Sequence, residues 1–320
     1  MLRRAALVGL LLAGTGAAAE WREDFSRPPA ERGWRVFGDA SLFAWDEARE
    51  ALRVTWDSSR PNSYFFRPLG TVLSRTDAFA LGFDLELEEI HVGVNPEKPF
   101  TFELAVGFHR RADAEAPGFR RGTGNDAPNL VEFAWFPDSG WGATLWPTII
   151  STNAQLNYLG RDDFLIQDLP PGHRFTVWMT FTNAVLTTTL WRDGEPVGAA
   201  LTQPLTDNFT DFRVDAVAVR SYSDDGAGGS LRATGWVDNF RVQLPPPPIA
   251  ELTGSFVDGA WQLRFQARAG WTYQVERAAH VTGEWRPTGD PLPDVDGPLE
   301  WTDPASPSGP AFYRVRADKP

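Results

Sequence analysis

Apolar and polar residues alternate with a period of two along most of this chain, which is the spacing of a β-strand with one buried face. No segment keeps the 3.6-residue spacing of an amphipathic helix over a dozen residues. The clearest predicted strands, separated by Gly-, Pro- and Asp-containing turns, are Phe79 to Leu87, Phe100 to Phe108, Leu130 to Phe136, Gly142 to Ile150, Phe175 to Phe181, Leu186 to Arg192, Phe212 to Arg220 and Gly235 to Leu244. Many short strands without helices predict a two-sheet sandwich or jelly roll.

A run of four prolines, Pro245 to Pro248, divides the chain. Consecutive prolines cannot donate to a sheet ladder, and they favour a stiff extended spacer. We therefore predict an all-β protein with a jelly-roll sandwich over residues 20–244, a linker over 245–248 and a smaller β-sandwich domain over 249–320. Trp261, Leu263 and Phe265 alternate as core residues of the second domain.

The alternation also assigns side chains to faces. In Leu130 to Phe136, Val131, Phe133 and Trp135 are predicted to face the core, which leaves Glu132 and Ala134 pointing outward. The same argument places outward a set of residues on four other strands: Glu103, His109, Trp146, Trp178 and Trp191, with several threonines between them. Indoles stack on sugar rings while hydroxyls and carboxylates bind sugar hydroxyls, so this set predicts a single glycan-binding trough.

Three alternatives stay open at this point. The tryptophans are equally well explained as buried residues beneath loops or between domains. A glycoside hydrolase or polysaccharide lyase needs a second group beside Glu132; Glu103 is the best candidate acid, with His109 as a lyase-type base. A purely structural or adhesive exoprotein, docked to an envelope partner through the C-terminal domain, explains the linker without any ligand.

The first nineteen residues predict export. Arg3 and Arg4 precede an apolar run, and Ala17 to Ala19 form a small-residue cleavage site, as in a secretory signal peptide. We expect an extracellular or periplasmic protein with no membrane span in the mature chain. Its formal charge of −12 becomes −14 once the two arginines are removed, which excludes nucleic acid as a partner class. The absence of cysteine excludes disulfides.

The opening "WREDFSRPPAERGWRVFGDASLFAWDEAREALRV" and the closing "GWVDNFRV" resemble the first and last strands of concanavalin A-like lectin/glucanase jelly rolls (L-type lectin or LamG-like). "VEFAWF" resembles the legume-lectin strand "VEFDTF", whose Glu and Asp hold metal ions. Here Glu132 matches the Glu, but Ala134 replaces the Asp, and a methyl group cannot ligate calcium or manganese. The tail resembles a small Ig- or fibronectin-like module, and the whole chain resembles uncharacterised secreted proteins of Verrucomicrobia-type bacteria.

No cofactor is expected apart from a candidate structural Ca²⁺. Asp24 near the first strand and Asp238 in the last are predicted to meet where the ends of the domain pair, and oxygen ligands suit Ca²⁺. The four histidines, at 91, 109, 173 and 280, lack the spacing of a zinc site.

Overall fold

The computed structural model of this protein describes residues 19–121, 127–307, 309 and 311–319. The predicted signal peptide therefore lies outside the described residues, apart from Ala19. The described chain divides into two compact units, one spanning Glu20–Leu244 and another that begins at Pro245. No helix among these residues has the length and apolar character needed to cross a bilayer.

The first unit is built almost entirely of strands. In chain order they are β1 (Ala19–Glu23), β2 (Arg35–Phe37), β3 (Phe43–Asp46), β4 (Ala51–Asp57), β5 (Ser63–Leu73), β6 (Phe79–Val92), β7 (Leu104–His109), β8 (Leu130–Phe136), β9 (Thr144–Leu145), β10 (Thr148–Ile150), β11 (Leu165–Ile166), β12 (Arg174–Thr182), β13 (Val185–Arg192), β14 (Glu195–Pro204), β15 (Val214–Ser221) and β16 (Leu231–Leu244). The helical segments are short: one α turn, α1 (Arg111–Ala114), and 3₁₀ turns at Pro29–Arg32, Ala40–Leu42 and Gly160–Asp163.

These strands form two eight-stranded antiparallel sheets. Sheet A has the order β14-β13-β12-β6-β16-β4-β3, with β1 also paired to β16. Sheet B has the order β11-β9-β8-β7-β15-β5-β2, with β10 also paired to β8. Neighbours in each order are often distant in sequence, which is the connectivity of a jelly-roll sandwich and confirms the predicted fold class.

The core lies between the two sheets and follows the predicted alternation. Phe83 of β6 contacts Phe133 of β8 with ring centroids 5.7 Å apart, and Phe79 contacts Phe108 of β7 at 5.3 Å. Both pairs join the inner face of sheet A to that of sheet B. Each fully buried ring of this size contributes about 1.5–3 kcal/mol relative to an exposed one, so the sandwich is held mainly by these inward positions.

Two predicted strands have different bounds in the structure. The strand predicted from Phe100 begins only at Leu104, because residues 93–103 form bridges and turns against residues 228–230. The strand predicted from Gly142 is split into β9 and β10 by Trp146 and Pro147; proline has no N–H to donate to the ladder.

The second unit contains six strands: β17 (Ile249–Val257), β18 (Ala260–Ala267), β19 (Thr272–Ala278), β20 (Arg286–Pro287), β21 (Gly297–Thr302) and β22 (Phe312–Asp318). They form two three-stranded sheets, β17-β18-β21 and β20-β19-β22. Leu263, Val275 and Trp301 form a small buried core. Of the core positions predicted from alternation, Leu263 and Phe265 are buried and Trp261 is half-buried.

Strands β7 and β8 approach so closely that one position requires glycine. A Cβ atom added to Gly107 would lie 2.5 Å from both the Cα of Glu132 and the carbonyl oxygen of Val131. We predict that Gly107→Ala lowers the free energy of unfolding by about 1–3 kcal/mol, because backbone atoms must move apart. Urea denaturation measures the change. Gly228→Ala is the matched control, since its nearest neighbour atom would be 3.6 Å away; equal effects of the two variants would contradict the close approach.

Candidate functional site

The outward face of sheet B carries most of the charged residues that the sequence singled out. Register pairs Glu132 of β8 with Gly107 of β7, and Ala216 of β15 with His109. Residues paired in this way point to the same side of a sheet. Glu132, His109 and Glu103 therefore share the face opposite the core, as the alternation predicts.

The expectation that this face meets solvent is wrong. Glu132 and His109 are 0% exposed, and Glu103 is 2% exposed. The segment that follows β7 covers them: the amide of Arg111 donates to Asp215 of β15, and Phe119 stacks on Tyr222 with ring centroids 6.2 Å apart. Strand alternation assigns a side chain to a face, but it carries no information about a later segment that lies over that face.

Buried charges on this face pair with one another in what we call the ionic cluster, defined as Glu103, His109, Arg121, Glu132, Arg220 and Tyr222. At its centre, Oε1 of Glu132 accepts from Nε of Arg121 at 2.8 Å. Its other oxygen, Oε2, accepts from Nη1 of Arg220 and from the hydroxyl of Tyr222. Two guanidinium groups and a phenol therefore solvate a carboxylate that has no contact with water.

Glu103 lies at the edge of the same cluster. Its Oε2 is 3.1 Å from Nη2 of Arg121, so one guanidinium bridges the two carboxyl groups. Burial raises the pKa of Glu103 to about 8, and the repulsive charge of Glu132 adds to this, while Arg121 and Arg220 oppose it. At neutral pH Glu103 is mainly protonated beside the carboxylate of Glu132.

His109 is held in one tautomer. Nε of Arg220 donates to Nδ1 of His109 at 3.2 Å, and because a guanidinium has no acceptor atoms, Nδ1 must be unprotonated. Burial, with the charges of Arg220 and Arg111, lowers the pKa of His109 well below its usual value. The ring is therefore neutral, and its Nδ1 is already used as an acceptor, which argues against the lyase-type base considered from the sequence.

Sequence reasoning missed the cations and the phenol of this cluster. Arg220 has the same strand parity as Ala216 and Ala218 of β15, so an isolated arginine in the run "VDAVAVRSY" was the available signal. Arg121 comes from a segment without periodicity. No local pattern indicates that it reaches Glu103 and Glu132.

Trp146 borders the ionic cluster at the open edge of sheet B. Its amide donates to the carbonyl of Ala134, which is two residues after Glu132 on β8 and faces the same side of the sheet. Its ring lies 6.4 Å from that of Phe136. Both rings are half-buried. Register also pairs Phe136 with Thr144 and Thr144 with Ile166, so these side chains form one row across β8, β9 and β11.

That row ends in exposed apolar groups. Trp141 is 77% exposed and lies 6.2 Å from the ring of Phe164, and Ile166 is 58% exposed. We call Phe136, Trp141, Trp146, Phe164 and Ile166 the aromatic platform. An exposed apolar patch of this kind marks a binding surface more often than an isolated apolar residue does.

The other two predicted indoles lie on sheet A. Trp178 of β12 and Trp191 of β13 point away from the core and are half-buried, as the alternation predicts. Trp146 belongs to sheet B, however, so the prediction of a single trough lined by all three indoles is wrong. Opposite sheets of a sandwich present their outer faces in opposite directions.

Asp24 and Asp238, the predicted calcium ligands, lie near the pairing of β1 with β16. Oδ1 of Asp24 accepts from the amide and hydroxyl of Ser26 and from Nη1 of Arg32. Burial raises the pKa of Asp238 to about 6, and the nearby charges of Asp84 and Asp24 act in the same direction. Within the part of the chain that the structure describes, no three His, Cys, Asp or Glu side chains gather into a metal-binding group.

Removing the central carboxylate of the ionic cluster should destabilise the protein strongly. Glu132→Gln leaves two buried guanidinium groups without their counter-charge, and we predict a loss of about 3–5 kcal/mol in the free energy of unfolding. Denaturation in urea measures it. Glu195→Gln, an exposed glutamate at the start of β14, is the control, and comparable losses in the two variants would refute the role of the buried charge.

The raised pKa of Glu103 predicts that the protein becomes less stable as the pH rises. The folded protein keeps a proton that the unfolded chain releases between about pH 4.5 and 8, so the free energy of unfolding falls as pH rises through this window. Glu103→Gln cannot titrate. Between pH 5 and pH 8.5 we expect the wild type to lose a few kcal/mol of stability relative to Glu103→Gln, because a shift of one pKa unit corresponds to about 1.36 kcal/mol. Parallel stability profiles of the two proteins against pH would contradict this.

No protein-family model and no curated protein matches this chain. Among solved structures, it is similar to a Lotus tetragonolobus seed lectin at 11% identity, with a TM-score of 0.43, covering 72% of this chain and 100% of the lectin. Peanut lectin is 11% identical with a TM-score of 0.40, and the match covers 72% of this chain and 100% of the lectin. The family 7 alginate lyase AlgAT5 is 10% identical with a TM-score of 0.36, over 63% of this chain and 84% of the lyase. The fold assignment rests on the two antiparallel sheets themselves.

Proposed function

We propose that this protein is an exported, non-catalytic glycan-binding protein that contacts sugar rings through the aromatic platform on sheet B. The observation that carries the proposal is the position of Trp141. Its indole is 77% exposed and lies 6.2 Å from the ring of Phe164, two residues before the exposed Ile166. An indole held by a neighbouring ring in this way offers a flat apolar surface to the C–H face of a pyranose.

Polar groups suited to sugar hydroxyls lie beside the platform. The hydroxyl of the exposed Ser139 lies 2.8 Å from that of the buried Thr144, and Oδ1 of the exposed Asp138 accepts from the amide of Gly140 at 2.9 Å. Binding sites for small polar ligands combine apolar walls with a few such fixed hydrogen-bonding groups. The turn from Asp138 to Gly142 thus supplies hydroxyl and carboxylate groups next to the exposed indole.

The ionic cluster lies beside this surface on the same face of sheet B. Glu132 lies two residues from Ala134, whose carbonyl accepts from Trp146, and four residues from Phe136 along β8. A strand anchored by two buried ion pairs holds its side chains in fixed positions, and a preorganised surface loses less entropy when it binds. We assign the cluster this supporting role.

Catalysis by Glu132 with Glu103 is the alternative, and the geometry disfavours it. Both oxygens of Glu132 accept hydrogen bonds from Arg121, Arg220 and Tyr222, and neither glutamate side chain has exposed area. A nucleophile or proton donor must reach the substrate within hydrogen-bond distance. Turnover of any neutral or acidic polysaccharide by wild-type protein, lost in Glu132→Gln that is still folded, would replace our proposal with this one.

The rest of the chain fits an extracellular binding protein. We propose that residues 1–19 direct export and that residues 249–320 form an Ig- or fibronectin-like accessory module. Asp24 and Asp238 remain the proposed ligands of a structural Ca²⁺. We also propose that the first unit is related to concanavalin A-like lectins and glucanases, as the sequence resemblance suggests. A purely adhesive protein with an envelope partner would instead retain its partner when the platform is removed.

Binding to a panel of immobilised polysaccharides tests the proposal. Trp141→Ala should weaken binding to the recognised glycan by about tenfold, which corresponds to about 1.4 kcal/mol, because the stacking surface is removed. Isothermal titration with the matching oligosaccharide measures the change. Trp285→Ala is the control, since that indole lies in the second unit and already has the Arg314 guanidinium 4.5 Å from its ring centroid.

Three results would contradict the proposal. Wild-type protein that binds no glycan of the panel, Trp141→Ala that binds as tightly as wild type, or an equal loss in Trp285→Ala would each remove the platform as the site. Circular dichroism of each variant checks that the fold is retained.

A further inference from the structure

The outward face of sheet A has an ordered layout that the register makes explicit. Side chains paired across neighbouring strands form rows. One row joins Trp191, Thr176, Asp84 and Asp238 through β13, β12, β6 and β16. Rows lie two residues, about 6.6 Å, apart along the strands. The next row joins Thr189, Trp178, Gly82 and Arg241 through the same four strands.

The indole of Trp178 fits into space that the glycine in its row leaves open. A Cβ atom added to Gly82 would lie 2.2 Å from Cε3 and 2.3 Å from Cζ3 of Trp178. Because Cδ2 is farther away, at 3.6 Å, the Cε3–Cζ3 edge of the ring lies against the bare backbone of Gly82. The close contact limits the orientations of the indole, and because the residue is half-buried, part of the ring stays accessible to solvent.

A third outward indole on this sheet, that of Trp236, is covered by other side chains. The guanidinium groups of Arg49 and Arg53 lie 4.4 and 5.3 Å from the ring centroid of Trp236, and its Nε1 donates to Glu88 at 2.9 Å. Among the described residues, no cation or second ring covers Trp178 or Trp191 in this way. The protein covers one of its three outward indoles on this sheet and leaves the other two available.

The polar groups beside these two indoles are held in place and balanced in charge. The hydroxyl of Thr176 donates to Oδ1 of Asp84 at 2.6 Å, and Nδ2 of Asn239 donates to Oδ2 at 2.9 Å. Nη1 of Arg174 lies 3.9 Å from the same carboxylate. With Asp238 and Arg241 in the two rows, two carboxylates face two guanidinium groups, so the surface has both donors and acceptors and no net charge.

We infer that this face, defined by Trp178, Trp191, Thr176, Asp84 and Asp238, is a second binding surface whose ligand is a neutral glycan. The inference rests on the proposed function of the aromatic platform and extends it. A balanced set of donors and acceptors beside fixed indoles matches a ligand that is rich in hydroxyls and carries no charge. A uronic or sulfated chain would meet two carboxylates without a matching excess of cations.

Two surfaces on opposite sheets make one molecule bivalent. The outer faces of a sandwich point away from each other, so a single short glycan cannot contact both. The protein would instead bridge two glycan segments. Bivalent attachment raises apparent affinity by about 10²–10⁴-fold without any new contact.

Agglutination separates bivalent from univalent binding. The experiment uses the full chain with beads coated with neutral β-glucan, galactomannan or arabinogalactan, and with alginate-coated beads for comparison. We expect wild-type protein to agglutinate one class of neutral beads and not the alginate beads. The double variants Trp178→Ala/Trp191→Ala and Trp141→Ala/Trp146→Ala should each still bind those beads about 100-fold more weakly without agglutinating them. The combined variant should not bind.

Two further measurements guard the interpretation. Trp178→Phe keeps a ring over Gly82 and should retain agglutination, which distinguishes lost stacking from lost folding. Light scattering of the free protein should show a monomer, because agglutination by a dimer needs only one site per chain. A dimer that dissociates in the Trp178→Ala/Trp191→Ala variant would assign the surface to self-association and overturn the inference.

The remaining outcomes separate this inference from the proposed function. If Trp178→Ala/Trp191→Ala agglutinates like wild type, or if Trp141→Ala/Trp146→Ala abolishes all binding, the second surface is refuted and the platform stands. If only the sheet A variant loses binding, the platform is refuted as well as bivalency. Binding to alginate beads alone refutes the neutral class, and no binding to any bead refutes both proposals.

Discussion

Glu132 places a carboxylate in the enclosed central part of the outward face of sheet B, and its charge must be balanced inside the protein. Arg121, Arg220 and Tyr222 do this by donating to both oxygens. Burying a charge without such partners costs several kcal/mol. Because Arg121 belongs to the segment between β7 and β8, the same contacts tie that segment to the sheet and close the central part of the face.

Closure of the centre determines where sheet B can meet a ligand. At the edge where β8, β9 and β11 adjoin, the side chains of Trp141 and Ile166 are exposed. On sheet A the outward threonines and indoles of β12 and β13 are half-buried. One sandwich therefore presents two chemically similar surfaces, one at a sheet edge and one across strands.

Charge placement distinguishes the two surfaces more than composition does. The carboxylates of sheet B are enclosed with arginines, and burial keeps Glu103 protonated at neutral pH. The carboxylates of sheet A are half-buried in the outward rows, where Asp84 accepts hydrogen bonds from Thr176 and Asn239. Carboxylates on sheet B thus form buried ion pairs, whereas those on sheet A are candidate contacts for a ligand.

Period-two alternation by itself determined the fold class, the inward residues such as Phe83 and Phe133, and the outward parity of Glu132, His109, Trp178 and Trp191. These follow from strand geometry, which is local to a few residues. The tertiary structure alone decided that Trp146 and Trp178 lie on opposite sheets, and that Glu103 and Glu132 are buried. Both depend on strand order and on Arg121 reaching over the sheet, and contacts between residues far apart in sequence leave no periodic trace in the chain.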